Sequence, residues 1–302
     1  MSEQIDFNFC AVGDWEHTEA TREVSRNIST HHDPKFILNL GDFAYDSRER
    51  TPEMQKEVVD KWFGQYIKPM VDANIPQYCV LGNHDIRQMD YYLYKFKELN
   101  PEFNKWIYHF TKQNIFFLML NTEAVHTPTS DQYNYAQDIL ARTFPDYPDE
   151  DKKIKGVTWR IVCFHRPIYC SRGGHGPFES FQHFHQLFDK YKVDIVLSGH
   201  NHNYERSYPL SYNTEDPDKP RINDTRRNDY LDTLGSIFVN VGTGGHSLND
   251  LITCEPHFYE QFDEDHGHLM IGLREQGTKI ECKFYDRNIQ GHDYFSIKKT
   301  FT

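Results

Sequence analysis

The sequence contains no run of about 18 apolar residues of the kind a membrane-spanning helix needs, so no such helix is expected. Its opening residues, Met1-Ser2-Glu3-Gln4, are polar and lack the basic, apolar and small-residue regions of a secretory leader. That predicts a cytoplasmic chain if the sequence is complete as written, and a secreted, lysosomal or vacuolar one if a leader has been removed. Positive charge is also short: 33 Lys and Arg stand against 45 Asp and Glu, for a net charge of −12. An acidic surface repels nucleic acid backbones and anionic membranes at long range, so neither is an expected partner. Cysteine is sparse, with six residues, no CxxC spacing and no disulfide framework. Cys10, Cys79 and Cys163 lie inside apolar runs, where a thiol is usually buried and reduced. No repeat, low-complexity tract or linker divides the 302 residues, so a single domain over 1–302 is predicted. The sequons at Asn27 and Asn223 matter only in a secreted chain.

What the sequence does have is a series of short apolar runs: Phe7–Val12, Phe36–Leu40, Gln77–Leu81, Ile115–Leu120, Arg160–Phe164, Val193–Leu197 and Ile237–Val241. Near-continuous apolarity over five or six residues fits strands buried on both faces. Between them lie helix-like stretches at Glu19–His31, Pro52–Val71, Tyr133–Thr143 and Phe178–Tyr191. Thr51 before Pro52 reads as a capped helix start. This alternation predicts an α/β layered domain. Leu269–Arg274, Lys279–Tyr285 and Asp293–Lys298 read as antiparallel strands with Gly277 and Gly291 in their turns. Phe144–Gly156 and Ser211–Asp232 read as long surface loops.

The chemistry lies at the ends of the apolar runs. Val12 leads into Gly13-Asp14, and Leu40 into Gly41-Asp42-Phe43-Ala44-Tyr45. Leu81 leads into Gly82-Asn83-His84-Asp85, Phe164 into His165, and Ser198 into Gly199-His200-Asn201-His202. Ligands of open α/β sheets bind beyond the carboxyl ends of strands, so five such ends predict one crevice lined by oxygen and nitrogen donors. Glycine just before the donor lets the chain turn sharply. Mixed carboxylate, imidazole and amide donors suit iron, zinc or manganese better than calcium or a thiophilic metal. Gly-Asp alone is an ordinary turn, and His165 alone would read as a core histidine. The five together, in order and all at strand ends, read as a metal site.

These blocks resemble the purple acid phosphatases, within the calcineurin-like metallophosphoesterase superfamily. The blocks of that family read Gly-Asp, Gly-Asp-x-x-Tyr, Gly-Asn-His-Asp/Glu, Val-x-x-His and Gly-His-x-His. The stretch Lys190–Pro209, KYKVDIVLSGHNHNYERSYP, resembles the plant enzymes, and the similarity runs from about residue 7 to the C-terminus. The resemblance implies an α/β/β/α fold, a two-sheet β-sandwich flanked by helices. It implies a ferric ion held by Asp14, Tyr45 and His202, and a divalent ion (Fe2+, Zn2+ or Mn2+) held by Asn83, His165 and His200. Asp42 would bridge the two, and His84 and His175 would touch substrate oxygens. A phenol with a pKa of about 10 rarely ligates a divalent ion at neutral pH, so Tyr45 independently favours a trivalent one.

The implied activity is hydrolysis of a small phosphate monoester by in-line attack of hydroxide held on the metals, with His84 or His175 protonating the leaving group. A diesterase, nucleotidase or diphosphatase using two divalent ions, and an inactive metal- or partner-binding module, are the rival readings. One departure stands out. The family has glycine two residues after the first aspartate, where this chain has Glu16 followed by His17. Glu16 reads as an extra ligand, as a partner of bound water or as a surface residue. Arg166 reads as a phosphate contact or an ordinary ion pair. Gly242-Thr243-Gly244-Gly245-His246 follows another strand and is expected to line the cleft, with His246 contacting substrate or supporting a ligand.

Overall fold

In the computed structural model, residues 7–45, 51–171, 174–249, 259–263 and 265–300 are described. Two mixed sheets pack face to face. The first runs in the order Asp229–Leu231, Gly291–Lys298, Lys279–Asp286, Gly267–Arg274, Phe7–Val12, Ile37–Asn39, Gln77–Cys79. The second runs in the order Tyr259–Asp263, Tyr204–Ser211, Ser236–Val241, Ile195–Ser198, Trp159–Cys163, Ile115–Met119, Tyr108–Lys112, with Arg221–Ile222 paired to Tyr204–Ser211. Within each sheet the strands that carry the motifs are parallel to one another. Their carboxyl ends therefore point the same way within each sheet.

The expected apolar runs form these central strands, and side-chain alternation sorts them between two cores. Ile115, Phe117 and Met119 face the space between the sheets, together with Phe9, Ile161 and Val239. Phe116 and Leu118 face outward onto the Asp131–Ala141 and Phe184–Lys190 helices through Ile139, Leu140, Phe184 and Phe188. The outer side of the first sheet is covered by Glu19–His31 through Val24 and Ile28 and by the Pro52–Lys61 segment. Each fully buried aliphatic or aromatic side chain stabilises the fold by about 1.5–3 kcal/mol relative to exposure. The result is the α/β/β/α sandwich that the resemblance implied. At the far edge Arg206 of the second sheet donates to Asp293 of the first at 2.6 and 3.0 Å, and both side chains are buried.

Local chemistry explains most boundaries. Thr18 caps Glu19–His31 through Thr21 N at 3.2 Å, and Thr51 caps Pro52–Lys61 through Met54 N at 3.3 Å. Several expectations are corrected. Pro52–Val71 is not one helix: it widens into a π-turn over Trp62–Tyr66 and restarts as Lys68–Asp72, because Pro69 has no N–H and belongs in a first helical turn. Phe178–Tyr191 divides likewise into Glu179–Phe181 and Phe184–Lys190. Ser211–Asp232 is not all loop, since Arg221–Ile222 and Asp229–Leu231 add short edge strands. Gly277 sits in a turn at φ +89°, whereas Gly291 opens a strand.

All five cysteines among the described residues are buried and unpaired; Cys254 lies outside them. Asn27 is buried with its amide on Arg287 O at 2.6 Å, so that sequon is closed in the folded chain. Among the described residues no helix is long and apolar enough to cross a membrane.

Candidate metal centre

The five motif-bearing ends do not come from one open sheet. Asp14, Asp42, Tyr45 and Asn83 follow strands of the first sheet, and His165, His200 and His202 follow strands of the second. The crevice is the seam between them. Backbone bonds lock the ends together: Asp14 N to Gly41 O at 3.0 Å, Trp15 N to Asp42 O at 2.9 Å and Gly199 N to His165 O at 2.9 Å. Asp14, Asp42, Tyr45 and His200 all have positive φ, between 44° and 70°. That region is sparsely populated by side-chain-bearing residues, least of all bulky ones, and such strain collects at functional sites. The preceding glycines make room. A Cβ on Gly82 would stand 2.1 Å from Asp42 Oδ1, and one on Gly199 would stand 2.3 Å from Asp14 Oδ2.

All seven expected ligands, with His84 and His175, are brought to this seam. On one side the Tyr45 hydroxyl lies 2.8 Å from Asp14 Oδ1 and 2.8 Å from His202 Nε2. His202 Nδ1 faces Ser247 O at 3.0 Å, which selects the tautomer with its lone pair on Nε2. One phenolic proton thus serves two acceptors. On the other side His165 Nδ1 faces Leu40 O at 2.7 Å. Its Nε2 stands 3.3 Å from Asp42 Oδ2, and it is buried with no hydrogen-bond partner. The donor atoms of Asp42, His165 and His200 all lie within 4.8 Å of one another, the one such group of His, Cys, Asp or Glu among the described residues. Asn83 Oδ1 is likewise buried without a partner.

The electrostatics call for a cation. Burial and the Asp42 charge raise the Asp14 carboxyl to about 7, against the pull of His165. Asp85 is raised by burial and by Asp42. Burial also opposes charge on Asp42 and His165, but their mutual attraction wins, pulling Asp42 down and lifting His165 to about 10. Burial, with neighbouring His165 and Arg166, lowers His200 to about 2, and burial with His246 lowers His202 to about 3. Both imidazoles are neutral, the form that binds metal. Burial and the two aspartates push the Tyr45 phenol well up, so only a strong positive field would ionise it. The orphaned Asn83 oxygen, the crowded carboxylates and the neutral His200 and His202 imidazoles fit a metal site.

The two expected substrate-contacting histidines flank this set. The His84 ring lies 4.6 Å from Tyr45, and the backbone N–H of His84 donates to Asp42 Oδ1 at 2.9 Å. His175 stacks on His200 at 4.4 Å, and its backbone N–H donates to Asn201 Oδ1 at 3.0 Å. Burial, then Arg166, lowers the His175 pKa. Arg172 and Gly173, before it in the glycine-rich segment, lie outside the described residues. Arg166 is ion-paired to Glu123 at 2.6 Å yet keeps Nη1 3.2 Å from His200 Nε2. Glu16 and His17 diverge: His17 turns away to Val58 O at 3.1 Å, while Glu16 reaches His246 Nε2 at 3.7 Å.

Other supporting residues had no role assigned from sequence. Asp85, fully buried, accepts the backbone N–H groups of Asp42, Phe43 and Gly82 at 2.8–2.9 Å, holding two motif turns at once. Its place in Gly82-Asn83-His84-Asp85 was the available signal. Asn249 Oδ1 accepts His202 N at 2.7 Å, and Glu205 accepts Ser171 N at 2.7 Å. Neither had a local signal.

A family profile described as calcineurin-like phosphoesterase matches residues 7–204. The chain belongs to that family. Among curated proteins it is similar to purple acid phosphatase 23 of Arabidopsis thaliana, 24% identical over 82% of this chain and 57% of the relative. It is also similar to the Fe(3+)-Zn(2+) purple acid phosphatase 12 of the same plant, 24% identical over 95% of this chain and 61% of that one. The chain thus spans little more than half the length of these relatives. Among solved structures, the purple acid phosphatase PPD1 from yellow lupin superposes with a TM-score of 0.72 at 20% identity, covering 98% of this chain and 54% of that one. It shares the fold.

Proposed function

We propose that this calcineurin-like phosphoesterase is a purple-acid-phosphatase-like dinuclear metallohydrolase that cleaves small phosphate monoesters. The observation that carries the reading is the Tyr45 hydroxyl, 2.8 Å from both Asp14 Oδ1 and His202 Nε2, with one proton for two acceptors. Asp14, Tyr45 and His202 would hold a ferric ion; Asn83, His165 and His200 would hold a divalent one; Asp42 lies between the two groups. Two metal ions held there would supply Lewis acidity and a water activated for in-line attack.

The chain's own residues supply the rest. His84 flanks the Tyr45 end and His175 the His200 end. A phosphoryl group between them meets an imidazole on each side, and either can pass a proton to the departing alkoxide oxygen. Arg166, one N–H aimed at His200, adds positive charge at the divalent end. With a net charge of −12, the protein attracts a phosphate ester only through this local positive field.

The test is an absorption spectrum, metal analysis and aryl-phosphate turnover on one sample. A visible phenolate-to-iron band, about two metals per chain and hydrolysis are expected. A colourless protein active with manganese or zinc would replace the ferric assignment by a divalent pair. A metal-loaded, folded protein without turnover on any phosphate ester would refute the enzyme reading.

A further inference from the structure

Tyr45 is a bulky aromatic held at φ +44°, a conformation that needs outside contacts to persist. Its ring has His84 on one side at 4.6 Å and His246 at 3.9 Å. The His246 ring also lies 4.1 Å from His202. His246 therefore touches two of the three donors expected on the ferric side.

His246 is itself well anchored. Its N–H donates to Asp14 O at 3.0 Å, and its carbonyl faces His266 Nε2 at 2.9 Å. Gly244 N donates to Gly13 O at 2.8 Å, and Thr18 Oγ1 donates to Gly245 O at 2.8 Å. The next residues reach His202: Ser247 O faces its Nδ1, and Asn249 N donates to its carbonyl at 2.9 Å. The loop is thus pinned to both the Asp14 turn and the His202 turn. The remaining free edge of the imidazole, Nε2, points toward the Glu16 carboxylate at 3.7 Å. Glu16, where the family pattern has glycine, thus meets the imidazole that packs on the Tyr45 ring.

We propose that Glu16 and His246 are positioning residues: a brace that clamps Tyr45 and His202 in place and sets how tightly the metal on the Asp14–Tyr45–His202 side is held. The proposal rests on the metal-centre reading above. His246 supplies the packing that keeps the Tyr45 ring from leaving its strained backbone position. The Glu16 carboxylate fixes the orientation of that imidazole. Outer-sphere partners of this kind typically alter metal affinity about 10–100-fold when removed.

The test compares wild type, His246→Ala, His246→Phe and Glu16→Gln, each loaded with metal, then challenged with a chelator. Metal loss is followed element by element together with the visible spectrum. Tyr45→Phe marks which phase of loss belongs to that side. His246→Ala should release that metal about tenfold faster, with the other metal unaffected. His246→Phe, which keeps a ring but not Nε2, should recover most of the retention, and Glu16→Gln should show a smaller loss of the same metal. Thermal unfolding of the metal-free variants should match wild type, separating a brace from a general folding defect. Equal retention in His246→Ala and wild type would overturn the proposal, as would selective loss of the other metal. A wild type that binds two divalent ions and no iron would refute the ferric assignment, while the chelator comparison would still decide the brace.

Discussion

His165 is oriented by Leu40: the imidazole of one sheet turns its Nδ1 to a carbonyl oxygen at the strand end of the other, 2.7 Å away. That contact aims Nε2 at Asp42 Oδ2, 3.3 Å off. Asp42 therefore stands where both donor groups meet. Asp42→Asn removes the charge they share and should abolish turnover, by at least about a hundredfold, with both metals depleted. Metal content and aryl-phosphate turnover decide it; full metal content with normal turnover would refute the bridging role.

Tyr45→Phe deletes the hydroxyl between Asp14 and His202 while keeping the ring between His84 and His246. The visible band should vanish, with part of the activity spared if the site still accepts a divalent ion. A retained band would rule out the phenolate as its source.

Gly82→Ala would put a methyl 2.1 Å from Asp42 Oδ1 and 2.4 Å from its backbone nitrogen. Part of that obstruction is backbone, so Asp42 must shift. Gly64→Ala meets nothing within 4 Å and serves as the control. Metal binding should fall at least about tenfold in the first variant and stay unchanged in the second, as read by calorimetric titration.

Asp85→Ala strands three buried N–H groups. Each unsatisfied buried donor costs about 1–3 kcal/mol, so the loss should exceed about 3 kcal/mol in denaturant unfolding, with Asp85→Asn less severe. Loss of metal before loss of fold would show the two motif turns separating first.

Burial lifts Glu205 to about 7, against the bonds from Ser171 and Asn203 that lower it. A carboxyl whose folded pKa exceeds its unfolded value leaves the folded state binding more protons. Its contribution is therefore present below about pH 4.5 and is lost as pH rises to about 7. At about 1.36 kcal/mol per unit this amounts to roughly 3 kcal/mol. Glu205→Gln should remove that slope from metal-free urea titrations between about pH 4.5 and 8. An unchanged slope would assign it to other groups.

The convergence of the motif side chains was legible because it is written locally: glycine, then a polar side chain, at the end of an apolar run. The central strands were legible because both faces are buried. Tyr204–Ser211 was harder, since Glu205 and Arg206 look like surface residues. Their charges are hidden by Ser171, Asn203 and Asp293, contacts distant in sequence for all but Asn203. Pro52–Lys61 carries good helix formers, whereas Gly64 among aromatic residues and Pro69 beyond them mark where the helix widens and restarts. Glu16 and His246 were each visible as oddities, but they sit near opposite ends of the chain, and no local pattern says that they meet.

The oxygen donors all arise from one sheet and the imidazoles all from the other. During synthesis the oxygen half emerges complete at Asn83, and the nitrogen half only begins at His165. On the proposed assignment a ribosome-bound chain therefore has no complete ligand set until His202 has emerged. A bound ion would act as a rivet between the two sheets, which are interleaved along the chain because Phe7–Val12 pairs with Gly267–Arg274.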